Sequence, residues 1–584
     1  MFFIALSQIT LFLLFLFITV KPLGSYMACV YQQQPCQLDR LCLPIERLFY
    51  RLCGIRSKEG MNWTTYLSAM LIFNLLGIIA VYFLQRCQYY LPLNPQSFTA
   101  PSRDLAFNTA VSFVSNSSWQ SYAGEATLSY FSQMLAVTVQ EFLSAASGMS
   151  LCVAFIRGIA FGETENLGNF WVDMMRSTLY ILLPLSLIFS IFLASQGVIQ
   201  NFKPYQNIKL VQSFHDEPKQ FEMASQLIPM GPVASEVAIK QLGSDGGGFF
   251  NVNSAHPFEN PTPLTNFFEM LAILLIPASF CYTFGVMVKD QRQGWALLAA
   301  MYIVFIPFVA ITMWSEQAGN PAFKNLGIDL VPENAFYPAG NMEGKETRFG
   351  ITHSALWTVV ATASSSGSVN AMLDSFTPIG GLVPLWMMHL GEVVFGGVGS
   401  GLYGMLMLVI ITVFIGGLMV GRTPEYLGKK IEIHEMKMAS LAILVMPMTV
   451  LLFSAFAAAT QAGVITNTGA HGLTEILYAF TSMGNNNGSN FAGLQTNTPF
   501  YNMVGSVAML IGRYLVAIPV MSIAGSLVKK KKIPISAGTL STHTPLFIIL
   551  LICIMLVIAG LSFFPVLALG PIVEQLMLWG QYGH

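Results

Sequence analysis

Four short segments carry glycine and small polar residues in a pattern suited to holding a bare cation. They read Ser115-Asn116-Ser117-Ser118-Trp119-Gln120, Gly243-Ser244-Asp245-Gly246-Gly247-Gly248, Ser364-Ser365-Ser366-Gly367-Ser368 and Asn485-Asn486-Asn487-Gly488-Ser489. Each closes an apolar stretch of about ten residues, half of what crosses a bilayer. None holds a nucleophile beside a base, so the chemistry they offer is coordination. Backbone carbonyls of converging turns replace the hydration shell of an ion. The C-terminal ends of half-length helices add partial negative charge there. Glycine permits positive φ and inward-pointing carbonyls at such a turn. In the first segment Asn116 fills that place, since asparagine tolerates left-handed geometry. The expected ion-contacting residues are Asn116, Ser117, Ser118, Gln120, Ser244, Asp245, Gly246, Gly247, Ser366, Gly367, Ser368, Asn487, Gly488 and Ser489. The turns at 116, 246, 367 and 488 are nearly evenly spaced, and such a fixed period marks an internal repeat.

Elements that position such turns must lie in a membrane. Of 584 residues, 54% are hydrophobic and only 10% charged, with mean hydropathy +0.60. An average soluble domain carries roughly 25% charged residues. A soluble enzyme and a disordered chain are therefore excluded. A net charge of −1 removes a nucleic-acid footprint, which needs a basic face. Ten apolar stretches are long enough to span: 2–20, 63–85, 128–156, 177–198, 264–288, 294–314, 382–421, 438–458, 499–528 and 545–568. Irregular backbone at membrane depth survives only where it lines a cavity or is buried in protein. The fold class expected is an all-α polytopic membrane protein. Four span–pore loop–span repeats surround a pseudo-fourfold axis, with one extra helix at each end. The divisions are 1–62 (first helix and inner loop), 63–160, 174–289, 294–421 and 438–528 (the repeats), and 529–584 (basic loop and last helix).

Lysine and arginine orient the chain. Eighteen of the 28 fall in segments 21–62, 157–176, 289–293, 422–437 and 529–532, which are inner loops if the N-terminus lies outside. The run Lys529 to Lys532 is the clearest anchor. Both termini are then expected outside. Within the spans, Glu141, Glu392 and Arg513 stand out, because intramembrane charge is costly and usually functional. Glu392 precedes the glycine-rich part of 382–421, which is too long for one straight span and is expected to break. A gate below the turns is expected at Glu392, and at Arg513 a fixed charge opposing straight exit; Arg422 starts an inner loop. Gly399-Ser400-Gly401-Leu402-Tyr403-Gly404 follows no strand and lies in an apolar stretch, so no nucleotide site is read there. The eight cysteines show no CxxC pair, so no resident metal or cofactor is expected.

Longer strings narrow the class. Gly246-Gly-Gly-Phe-Phe-Asn251, His256-Pro-Phe-Glu-Asn-Pro261, Asn341-Met-Glu-Gly-Lys-Glu346, the run from Gly391 to Gly404, Gly421-Arg-Thr-Pro-Glu-Tyr-Leu-Gly-Lys-Lys430 and Asn485-Asn-Asn-Gly488 closely resemble the KdpA family. These are the potassium-binding subunits of the bacterial potassium-transporting P-type ATPase. The likeness runs nearly end to end. The first two turns depart from the family's usual Thr-Asn-Thr-Asn-Trp-Gln and Gly-Thr-Asn-Gly-Gly-Gly, so that Asp245 puts a carboxyl beside the second turn. The resemblance implies a selectivity filter for potassium, open to the outside of the bacterial inner membrane. It implies an ATP-hydrolysing P-type partner, a single-span accessory subunit, a small one-helix peptide, and a sideways tunnel to the pump subunit. Potassium is then the transported ion, and ATP is hydrolysed on the partner. Without the resemblance, a self-sufficient channel or symporter of the same architecture fits the turns equally well.

Overall fold

The computed structural model describes residues 2–216, 221–327, 340–419, 421, 423–461, 464–534 and 540–582. Among the described residues, ten helices are long and apolar enough to cross a membrane. In four places a span, a short pore helix and a second span follow one another. The pore helices are Arg103–Val114, Val233–Leu242, Gly350–Ala363 and Ala470–Asn485. The flanking spans are Trp63–Arg86 and Tyr130–Ala160, Phe170–Ser195 and Pro263–Met287, Gln291–Phe323 and Ser400–Met419, and Ile433–Thr460 and Pro499–Lys529. The helices Phe2–Tyr31 and Pro545–Leu567 stand outside the repeats.

Local sequence sets where these helices begin. Thr262-Pro263, Thr377-Pro378, Thr498-Pro499 and Thr544-Pro545 open four of them, each threonine hydroxyl accepting from a backbone N–H one turn on. The hydroxyl satisfies an orphan donor, and proline at the first helical position lacks the N–H that would otherwise be unpaired. Burial separates inner from outer spans. Of the apolar core of Tyr130–Ala160 and of Pro263–Met287, 89% is buried, against 22% for Trp63–Arg86. The second helix of a repeat thus lines the centre, and the first faces lipid in repeat one.

Two features differ from the sequence reading, and a third, the broken 382–421 stretch, agrees with it. The first helix runs on from residue 20 to Tyr31, because its inner end packs on Pro263–Met287, with the Thr283 hydroxyl donating to the Gly24 carbonyl at 3.0 Å. The 382–421 stretch is two helices, Pro378–His389 and Ser400–Met419, around a non-helical segment at 390–399, as its glycines suggested. The structure is also not purely helical: Gln206–Asp216 and Phe221–Ile228 form an antiparallel hairpin, and two other two-stranded pairs are very short.

Candidate functional site: four turns around one axis

Each pore helix ends in the same hydrogen-bond pattern. The N–H groups of Ser117, Asp245, Ser366 and Asn487 donate to the carbonyls of Ser112, Lys240, Ala361 and Ser482, five residues back. The residue before each donor is left-handed: Asn116 (φ 64), Ser244 (φ 51), Ser365 (φ 59) and Asn486 (φ 61). This is the Schellman way of ending a helix. Here it uses asparagine or serine where glycine is commonest.

The pattern fixes the register between repeats. Asn116 corresponds to Ser244, Ser365 and Asn486; the residue matching Gly246, Gly367 and Gly488 is Ser118 (φ 52). The sequence reading placed Asn116 with the glycines, two positions early, because it matched on glycine-like character. The structure also restricts the positive-φ argument. Gly488 (φ 99) and Gly247 (φ 69) use it, whereas Gly246 and Gly367 lie outside the left-handed region. There glycine is needed for space. A Cβ on Gly246 would stand 2.5 Å from Gly367 Cα, one on Gly367 2.7 Å from the Gly488 carbonyl carbon, and one on Gly488 2.1 Å from the Ser117 carbonyl oxygen.

The loops therefore touch in cyclic order. Loop one meets loop two through Asn116 Nδ2 and Ser118 Oγ (3.1 Å), both donating to the Asp245 carboxylate. Loop two meets three through Ser366 Oγ on the Asp245 carbonyl at 2.7 Å. Loops three and four meet at Gly367 and Gly488. Loop four returns to one through Asn486 Nδ2 on Ser117 Oγ at 2.7 Å. Among the described residues, the carbonyls of Ser118, Gly246, Gly367 and Gly488 accept no hydrogen bond. Backbone carbonyls at such depth normally have a donor, so these four are free to face an ion.

The remaining expected residues serve the ring from outside it. The Gly247 carbonyl accepts from Asn253 Nδ2 and, at 3.4 Å, Lys240 Nζ. The Ser368 carbonyl accepts from Trp357 Nε1 at 2.8 Å. Both are turned back to the scaffold rather than to the axis. Ser244 Oγ donates to the Ile273 carbonyl at 2.9 Å, Gln120 Nε2 to the Gly248 carbonyl at 3.2 Å, and Ser489 Oγ shares 2.9 Å with the Tyr478 hydroxyl. Asn487 Nδ2 reaches Glu392 Oε1 at 2.9 Å.

Glu392 is itself left-handed (φ 49) in the unwound 390–399 segment. Its other oxygen accepts from Ser365 Oγ, so one buried carboxyl ties loops three and four from below. Beneath it lies a cavity of about 120 Å³, lined among others by Asn116, Ser365, His389, Glu392, Arg513 and Met555. Arg513 sits in a π-helical bulge of the last inner span. It donates to the Ser144 carbonyl at 3.2 Å and forms no ion pair among the described residues. His389 stacks on Phe563 with ring centres 3.8 Å apart and meets Thr481. Arg422 lies outside the described residues.

One group escaped the sequence reading. Lys240 Nζ meets Glu259 Oε2 at 2.7 Å, with both side chains fully buried, and Asn253 Oδ1 at 2.8 Å. This network stands behind the Gly247 carbonyl. The only sequence signal was a lysine in the last turn of the half-helix Val233–Leu242, which reads as a helix-end charge until the loop after it folds back.

Fold and site together define a multi-pass membrane protein with four pore loops converging on one axis. The sequence profile described as potassium-transporting ATPase A subunit, KdpA, matches residues 10–576, and the chain belongs to that family. A potassium-transporting ATPase potassium-binding subunit from Methylococcus capsulatus is 57% identical, over 98% of this chain and 99% of the relative. One of the same description from Herpetosiphon aurantiacus is 58% identical, over 98% of each. The crystal structure of the potassium transporter TrkH from Vibrio parahaemolyticus aligns with TM-score 0.49 at 13% identity, covering 85% of this chain and 96% of that one.

Proposed function

We propose that this chain is the potassium-binding and translocating subunit of an ATP-driven potassium uptake complex. Potassium enters the ring from the outer face of the bacterial inner membrane, with both termini on that side. The observation that carries the reading is the ring itself: four symmetry-related carbonyls without a protein donor, on backbones packed too closely for any Cβ at three of the four. Such oxygens substitute for the water an ion sheds. Below the ring, Glu392 and the unwound segment around it form the gate. Arg513, a fixed cation on the cavity wall, opposes straight passage inward. The cavity extends between Ile433–Thr460 and the last span, where Met446, Pro447, Met555 and Ser562 line it. We infer that the ion leaves along this side, toward an ATP-hydrolysing P-type subunit assembled with a single-span subunit and a one-helix peptide.

The test is ATPase activity of the purified complex, titrated with potassium, sodium and rubidium. Stimulation by potassium at far lower concentration than by sodium is expected, and the chain freed of its partners should neither bind nor hydrolyse ATP. Steady potassium flux through the isolated chain in liposomes would overturn the reading in favour of a self-sufficient channel or symporter.

A further inference from the structure

The helix Asp39–Cys53 joins the first two spans and presents three different faces. On a wheel advancing 100° per residue, Leu41, Ile45, Leu48 and Leu52 fall in one stripe about 60° wide. All four are exposed, from 53% at Ile45 to 75% at Leu52. Roughly a quarter turn or a little more around the same wheel, Arg40, Arg47 and Arg51 form a second exposed row. None of the three has a carboxylate partner among the described residues. The third face holds the helix to the protein. Buried Cys42 donates to the Leu179 carbonyl at 3.6 Å. Buried Glu46 accepts from Arg176 Nε at 3.0 Å and from the Tyr180 hydroxyl at 2.9 Å. With these contacts the helix cannot roll, so the direction of the leucine stripe is set.

Its depth is set as well. Arg176, Leu179 and Tyr180 belong to the span Phe170–Ser195. On that span an exposed apolar row begins at the next turn: Leu183, Leu187, Ile188 and Ile191, 46% to 68% exposed. The helix therefore sits at the edge of this exposed apolar row, and its leucines stay uncovered among the described residues. Apolar side chains in a continuous exposed row are unfavourable in water. An amphipathic helix with arginines flanking such a row is the form that lies in a membrane interface and attracts anionic lipid.

We propose that Asp39–Cys53 is an in-plane anchor on the inner leaflet: its leucine stripe enters the interface, and Arg40, Arg47 and Arg51 hold anionic phospholipid headgroups. The assignment to the inner leaflet rests on the inward placement of residues 21–62 proposed above. The test uses the intact complex in nanodiscs of phosphatidylcholine, with or without phosphatidylglycerol. Exposed Cys53, Cys87 and Cys553 are replaced by serine, and one nitroxide is placed by Leu48→Cys or Arg47→Cys. Neither change touches Cys42 or Glu46. Relaxation at position 48 should be at least twofold more sensitive to oxygen than to a water-soluble nickel chelate, with the order reversed at 47. Phosphatidylglycerol should immobilise the label at 47, and Arg40→Glu with Arg51→Glu should abolish that effect. Equal nickel access at 47 and 48 would overturn the proposal, because the stripe would then face water. Shielding of 48 from both reagents, the same in detergent as in lipid, would overturn it in favour of a partner subunit covering the stripe. An impermeant maleimide on Lys58→Cys reads the sidedness separately: reaction from outside refutes the topology without altering the depth result.

Discussion

Lys240 stands directly behind the second turn, and the consequences of removing it can be stated in advance. Its ion pair with Glu259 is fully buried. Breaking such a pair leaves an uncompensated charge and costs about 3–5 kcal/mol. Lys240→Met should lower the unfolding temperature of the complex clearly and weaken potassium activation, because the Gly247 carbonyl loses one of its two donors. Lys240→Met with Glu259→Gln should recover part of the stability, since no lone charge remains. Thermal unfolding and potassium titration measure the two effects separately. The glycines of the ring give a second prediction. A side chain at Gly246, Gly367 or Gly488 collides with the neighbouring loop, and aspartate adds charge beside the ion. Each Gly→Asp change should weaken potassium affinity more than tenfold, or about 1.4 kcal/mol, and admit competing monovalent cations. Asn116→Ala should act differently. It removes a left-handed cap and a hydrogen bond to Asp245, so its main effect is on stability. Unchanged potassium, rubidium and sodium ratios in all three glycine variants would mean that the ion binds elsewhere.

Elements are held together by polar contacts at their ends. His471 opens the fourth pore helix and joins it to two others. Its Nε2 meets Asp374 at 3.0 Å in the loop after the third turn, and its Nδ1 meets Glu574 at 2.9 Å near the C-terminus. Burial works against a charged ring here, but the two carboxylates outweigh it and hold the pKa up at about 10. A pKa raised on folding stabilises the folded state fully below the ordinary value of 6.5 and loses that stabilisation as pH climbs through about 10. The unfolding temperature should therefore fall between pH 8 and 10.5 by more in the native chain than in His471→Gln. The variant should already be less stable at pH 8. Identical pH profiles for the two would show that the contact contributes nothing.

At the scale of the molecule, two buried basic groups lie on the proposed inner side. Arg157 pairs with Asp173 through two contacts of 2.6 and 2.8 Å. Lys429 donates to the carbonyls of Gly158, Phe161 and Leu527, at the C-terminal ends of two inner spans, where helix dipoles favour a cation. Positive charge thus collects where the loop count puts the cytoplasm. A cysteine at exposed Lys531 should react with an impermeant reagent only from the cytoplasmic side. One at Gly580, where an added Cβ meets nothing within 4 Å, should react only from outside. Reaction of both from one side would mean an even number of crossings between them and would refute the arrangement proposed above.

Much of this protein was legible in the sequence, and for a definable reason. Spans are recognised by length and apolarity alone, because lipid forces every backbone group into a helix. The four loops were visible because their composition breaks that rule at a regular interval. The break near Glu392 was visible because glycine collects there. What composition could not supply was register. Asn116 and Ser118 are both small and polar, and only the hydrogen bond from Ser117 to Ser112 shows which of them faces Gly246, Gly367 and Gly488. Nor could it show that Gly246 and Gly367 are glycines for space while Gly488 also needs its φ. Lys240 and Glu259 are 19 residues apart on either side of a turn, and Glu392 meets Asn487 across 95. The first contact forms once the loop after the second turn folds back, and the second only once the repeats close around one axis. Local sequence decides what each segment can be, whereas closure decides which carbonyls are left free for an ion.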